Sequence, residues 1–201
     1  GLGYYRRARY LHEGAKRITG LGRFPATREA LLDLPGVGPY TAGAIASLAY
    51  GLPHAVVDGN VERVLLRLAG DERAPESPLV KKGLWQLAEE LLPPGAPGAF
   101  NEGLMELGAT VCTPADPICP SCPVRRFCRA LKTGKVGQIP RPAVKTAARK
   151  VSRIALVLEC KGTYLVERRK EGGRLAGLWQ FPEVELDGKG SPNATLTALR
   201  K

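Results

Sequence analysis

No run of apolar residues in this 201-residue chain approaches the ~20 that would cross a bilayer as a helix. No membrane partner is expected. Nor does the chain open on a secretory-type signal, so its thiols are expected to stay reduced. The two histidines, His12 and His54, have no metal-ligand spacing and read as structural. Internal repeats and low-complexity tracts are missing. The first residue is Gly1 rather than methionine, and the last stretch, "TLTALRK", reads as the start of a helix. Both ends are expected to be cuts in a longer chain. Acidic residues are the other shortage: 19 stand against 30 Lys and Arg, for a net charge of +11. Such an excess favours a polyanion partner, because neutralising phosphates releases their condensed counterions. A generally basic surface would give the same number.

What is present divides the chain into three. Residues 1–129 read as helical, through "RRARYLHEGAKRI", "TREALLDL", "PYTAGAIASLAYG", "NVERVLLRLAG", "SPLVKKGLWQLAEELL" and "AFNEGLMELGATVC". Thr27 suits an N-cap, Pro39 a first helical position, and Gly51 and Gly70 helix ends. Residues 130–150 are basic, with prolines and glycines but little apolar periodicity, and read as a linker. From 151 to 201 the runs "VSRIALVLEC" and "TYLVERR" are short and β-branched, joined by Lys161-Gly162 in a hairpin signal.

Four of the five cysteines fall within 17 residues, as Cys112-x6-Cys119-x2-Cys122-x5-Cys128. Four thiolates so close can surround a metal centre. Disulfides are the first alternative, and reduced thiols argue against them. Zinc is the second; four-cysteine zinc sites usually pair two Cys-x2-Cys knuckles, and only one is present. The spacing favours a 4Fe–4S cluster. Cys160, in a predicted strand, reads as a small buried hydrophobe.

"LLDLPGVGPYTAG" reads as helix, tight turn, helix. Gly36 and Gly38 allow positive φ and close backbone approach, so that the amides around Val37 and the following helix N-terminus converge outward on an anion. Farther on, "AVVDGNVERV" reads as an apolar strand-like run ending in Asp58, then a turn at Gly59 into a helix near Asn60. By itself such an aspartate is no more than an N-cap.

Together, the 6-2-5 cysteine spacing, "LPGVGPYTAGAIA" and "VVDGNVERV" resemble the helix-hairpin-helix DNA glycosylases of the endonuclease III superfamily. Within it, "GLGYYRRAR" and "AFNEGLMELGATVCTP" are similar to the MutY-type adenine DNA glycosylases, and "GTYLVERRKEGGRLAGLWQFPEVE" to the start of their Nudix-like domain. The resemblance implies a mainly α helix-hairpin-helix glycosylase domain with a 4Fe–4S loop, followed by the start of an α+β Nudix-like domain.

The activity it implies is hydrolysis of the N-glycosidic bond of adenine mispaired with 8-oxoguanine or guanine in double-stranded DNA. The protein would be a monomer, and cytoplasmic and nucleoid-associated in a prokaryote. Asp58 would stabilise the oxocarbenium-like sugar, with Asn60 orienting it or a phosphate. Gly36, Val37 and Gly38 would hold a DNA phosphate, helped by a monovalent cation. Cys112, Cys119, Cys122 and Cys128 would hold the cluster.

Tyr40 stands where bifunctional relatives have a lysine; a phenol of pKa ~10 forms no Schiff base, which implies base removal without strand cleavage. Its hydroxyl is expected near the catalytic carboxylate. Tyr4 would wedge into the helix beside 8-oxoguanine, and Glu102 would approach the adenine. The general-acid glutamate would lie upstream of "GLGYY", so the chain alone is expected to be impaired. Residues that recognise 8-oxoguanine would lie beyond Lys201.

Two rival readings are a thymine or uracil mismatch glycosylase of the same superfamily, and a non-catalytic iron–sulfur DNA-binding module. A Nudix hydrolase is disfavoured, because no G-x5-E-x7-R-E-type motif is present.

Overall fold

The structure, a computed structural model, describes residues 4–142, 147, 148, 150–170, 172 and 175–186. The chain forms two compact units, Gly1–Val144 and Lys145–Lys201. No described helix is long and apolar enough to cross a membrane.

The first unit is helical. Its order is α1 (Tyr5–Leu21), α2 (Arg28–Leu32), α3 (Pro39–Tyr50), α4 (Gly59–Ala69), α5 (Pro78–Leu91), α6 (Pro97–Glu106) and α7 (Arg129–Lys132). The ends follow the local chemistry. Thr27 Oγ1 accepts from the Ala30 N–H at 3.3 Å to start α2, and Pro39 opens α3. Gly51 and Gly70 close α3 and α4 in the left-handed region, at φ 64° and 67°.

Helix α4 is the axis of the main core. Val61, Val64, Leu65 and Leu66 pack with Val80, Leu84 and Ala88 of α5, and with Leu104 and Leu107. Full burial of a Val or Leu is worth about 1.5–3 kcal/mol, so this cluster dominates the unit's stability. A smaller cluster of Leu31, Leu34, Ala42 and Ala46 holds α2 against α3.

Three local features differ from the sequence reading. Residues 53–57 are irregular rather than a strand. Helix α6 stops at Glu106 and continues as a wider π-type turn over Leu107–Val111. Ala130 and Ile139 are fully buried in the α4 core, so apolar anchors pull the start of the basic stretch into the first unit.

The second unit shows short antiparallel pairs: β1 (Ser152–Ala155) with β6 (Glu183–Leu186), β2 (Glu159–Cys160) with β3 (Thr163–Tyr164), and β4 (Glu167–Arg168) with β5 (Trp179–Gln180). Lys161 and Gly162 make the β2–β3 turn at φ 49° and 79°. Cys160 is exposed, not buried, because its two-residue strand has both faces open. The helix expected in "TLTALRK" lies outside the described residues.

Candidate functional site

Helices α2 and α3 are joined by Leu34–Gly38, with the Val37 N–H bonded to the Leu34 carbonyl at 3.1 Å. Gly36 has φ 77°, and a Cβ there would lie 2.5 Å from Cβ of Tyr10, so it must be glycine twice over. Gly38 is otherwise. Its φ is −97°, extended backbone open to any residue, because it serves as the N-cap of α3. No side chain caps α3 there, so first-turn amides such as those of Tyr40 and Thr41 are left for an anion.

Asp58 is the N-cap of α4. Its Oδ1 accepts from the N–H groups of Asn60 at 3.0 Å and Val61 at 2.8 Å. Its Oδ2 accepts from Asn60 Nδ2 at 3.3 Å. Three donors therefore fix both oxygens of one half-buried carboxylate at the positive end of the α4 dipole. Beside it lies a cleft of about 250 Å3, lined by Val57, Asp58, Gly59, Glu62, Lys81, Leu84 and Trp85. Burial raises the Glu62 pKa; Lys81 lowers it and Glu76 raises it further.

From Asp58 a line of hydrogen bonds runs along α4 to the cysteines. Arg63 is buried; its Nη2 donates to Asn60 Oδ1 at 2.9 Å and to the Gly108 carbonyl at 2.7 Å, and its Nε to the Cys112 carbonyl at 2.7 Å. One turn later Arg67, 2% exposed, donates to the carbonyls of Ile139, Cys112, Thr113 and Pro114, and to Cys112 Sγ at 3.3 Å. The Cys128 thiol returns a bond to the Arg67 carbonyl at 3.4 Å.

Cys112, Cys119, Cys122 and Cys128 line one cavity with Arg67, Val111 and Pro117. Burial pushes the Cys122 thiol above its ordinary range, and the other three cysteines push it the same way, against a bond from the Val124 backbone. Among the described residues no three His, Cys, Asp or Glu side chains converge closely enough for a single metal ion. Yet the charge of Arg67 is buried against carbonyls and a thiol, with no carboxylate among the hydrogen bonds above. A buried cation needs a counter-charge, which thiolates bound to a cluster would supply. The donor set fits a group wide enough to reach four separated sulfurs.

The remaining predicted residues are more scattered. Tyr40 is 40% exposed, and its hydroxyl reaches across to α6 to donate to Met105 Sδ at 3.6 Å, while the Asp58 carboxylate takes its hydrogen bonds from Asn60 and Val61. Glu102 is exposed on α6, and Tyr4 is 77% exposed at the start of α1. Arg63, Arg67 and Glu62 escaped the sequence reading; a charge on an amphipathic helix reads first as a solvated one. The signal present was the i, i+4 spacing of the two arginines on the apolar face of α4.

Residues 21–48 match the helix-hairpin-helix motif. A thermostable thymine-DNA glycosylase superposes with a TM-score of 0.55 at 38% identity, covering 63% of this chain and 58% of its own. A trapped endonuclease III–DNA covalent intermediate gives 0.54 at 29% identity, covering 65% and 61%. The adenine DNA glycosylase of Arabidopsis thaliana is 45% identical over 202 residues, 93% of this chain and 32% of its own. That of Homo sapiens is 41% identical over 232 residues, 92% and 42%.

Fold and motif together define a helix-hairpin-helix DNA glycosylase domain of the endonuclease III superfamily. Within that class the chain has adenine DNA glycosylase homologues at 32–45% identity over more than nine-tenths of its length. It spans about a third to half the length of these relatives.

Proposed function

We propose that the protein carrying this chain is a monofunctional DNA glycosylase that hydrolyses the N-glycosidic bond of adenine opposite 8-oxoguanine or guanine. The observation that carries the proposal is the Asp58 carboxylate, immobilised by three N–H donors in a homologue of adenine glycosylases. Cleavage leaves positive charge on the sugar, and a fixed carboxylate favours that state over the neutral ground state without having to reorganise. The hairpin amides around Gly36, Val37 and Gly38 hold a phosphate, aided by a monovalent cation. Tyr40 offers no amine, so the strand stays intact. Tyr4 wedges beside 8-oxoguanine and Glu102 approaches the adenine. The acting species is a monomer on duplex DNA, cytoplasmic and nucleoid-associated in a prokaryote.

Cys112, Cys119, Cys122 and Cys128 would hold a 4Fe–4S cluster. Such a cluster, when bound, cross-links the loop after the π-type turn to Cys112 and so stiffens it. Arg67 would offset part of its charge, and Arg63 links the Cys112 carbonyl to Asn60 and through it to Asp58. The second unit is the start of a Nudix-like domain.

A thymine mismatch glycosylase is the second reading, favoured by the superposition over 63% of the chain. The adenine-specific relatives align with 92–93% of the chain, more than the first unit holds, and this favours adenine. Base release by the intact protein from A:8-oxoguanine and T:G duplexes separates the two. Adenine from the first duplex alone is expected; thymine from the second overturns the reading.

A further inference from the structure

Asn101 is 1% exposed in α6, and the proposed chemistry gives it no role. A primary amide is costly to bury unless its N–H groups are bonded. Its Nδ2 donates to Ser47 Oγ at 2.9 Å and to the His54 carbonyl at 2.9 Å. Ser47 is buried on α3, its hydroxyl turned to the Ala44 carbonyl at 3.4 Å. His54 lies in the segment that runs from α3 to Asp58. One amide therefore ties three elements together.

Two backbone contacts press the same segment onto α3. The Leu52 N–H donates to the Ala46 carbonyl at 2.9 Å. A Cβ at Gly43 would lie 2.5 Å from the Ala55 carbonyl oxygen, closer than such atoms come. Gly43 sits within α3 at no unusual φ, so it is needed for approach and not for conformation. Helix α6 also packs closely on α3, where a Cβ at Gly98 would lie 2.8 Å from the Ser47 carbonyl oxygen. Ala55 and Val56 are buried, and only Val57 then separates them from Asp58. A displacement at Ala55 has few residues in which to relax.

Helix α3 begins at the hairpin turn and ends in this clamp. We infer that Asn101 and Gly43 are positioning residues that fix the spacing between the hairpin amides and the Asp58 carboxylate. A DNA strand gripped by a phosphate at one end of α3 then presents its sugar at a set distance from the carboxylate. The inference rests on the glycosylase reading above. Misplacement by ~1 Å costs such a reaction about 10²-fold.

The test compares Gly43→Ala, Asn101→Ala and Ser47→Ala in the intact protein. Gly103→Ala on α6 is the control, since its Cβ would meet nothing within 4 Å. Single-turnover excision on an A:8-oxoguanine duplex gives a rate constant and an amplitude, and the same duplex with a non-hydrolysable 2′-fluoro adenosine gives the affinity. For Gly43→Ala and Asn101→Ala the rate constant is expected to fall about 10²-fold, with amplitude and affinity kept. Ser47→Ala leaves the His54 bond and should lose less. A lower amplitude with an unchanged rate constant means a merely structural role and overturns the inference.

Failure of the glycosylase reading looks different, because the unaltered protein then releases no base. The clamp is in that case judged by amide hydrogen exchange. Asn101→Ala must speed exchange across residues 52–58 while α4 keeps its protection, and unchanged exchange there overturns the clamp whatever the substrate.

Discussion

Asp58 does two things with one carboxylate, and an amide can do only one of them. Asparagine caps a helix as well as aspartate does, so Asp58→Asn should fold normally. It cannot offset a sugar cation. Binding of A:8-oxoguanine duplex by the intact variant should survive, while single-turnover excision falls at least about 10²–10³-fold; excision near the unaltered rate would reduce Asp58 to a cap. Arg67→Leu removes the cation beside Cys112 and takes the Arg67 donor from the carbonyls of Ile139, Thr113 and Pro114, while Arg63 still serves that of Cys112. Metal analysis of anaerobically purified variant should find well below the about four irons per chain expected of the unaltered protein.

Glu62 gives a pH test. Burial raises its folded pKa above the ordinary 4.5, so the folded state resists its ionisation. The resulting loss of stability is absent below 4.5, grows as the pH rises toward the folded value, and is full above it. Melting curves should therefore show Glu62→Gln more stable than the parent at pH 7, with the gain shrinking as the pH falls toward 4.5. Asp58 was legible as an N-cap from its place before Gly59, and as more than a cap only through the resemblance of "VVDGNVERV" to the glycosylases. Arg63, Arg67 and Asn101 were hidden, since what makes them matter is which carbonyls of distant segments they meet.

At the scale of elements, the hairpin was read from its sequence, and one of its glycines was read wrongly. Gly36 needs φ 77°, whereas Gly38 is an extended N-cap at −97°. An aspartate at 38 would thus cap α3 rather than strain it, while setting a negative charge where a phosphate is to sit. Gly38→Asp should keep its melting temperature yet weaken binding to matched and mismatched duplexes alike. Its affinity should also fall less steeply with salt, by about one phosphate's worth of slope. A variant that binds DNA normally would remove the hairpin from the interface. Helix caps at Thr27, Gly51 and Gly70 were legible because each is a local bargain between one side chain or one φ and one helix end. The π-type turn at Leu107–Val111 was not. It brings Gly108 against Asn60, where a Cβ would come within 2.6 Å of the Asn60 Cβ, and no local propensity encodes that contact.

For the whole molecule, the first unit supplies grip and carboxylate, and the cysteine cavity lies at the far end of the same helix that Asp58 caps. The division at residue 144 falls within the basic, proline-containing stretch 130–150, whose start is anchored to the core by Ala130 and Ile139. Charge alone could not reveal those anchors. The central claim concerns what the assembled site does to DNA, and one reaction tests it: the intact protein on an A:8-oxoguanine duplex, with free adenine and strand integrity measured in the same sample. With Tyr40 at the hairpin, adenine should be released in step with abasic sites that break only on heating or alkali, and borohydride should trap no stoichiometric protein–DNA adduct. Strand breaks formed at the rate of base release, with such an adduct, would contradict it.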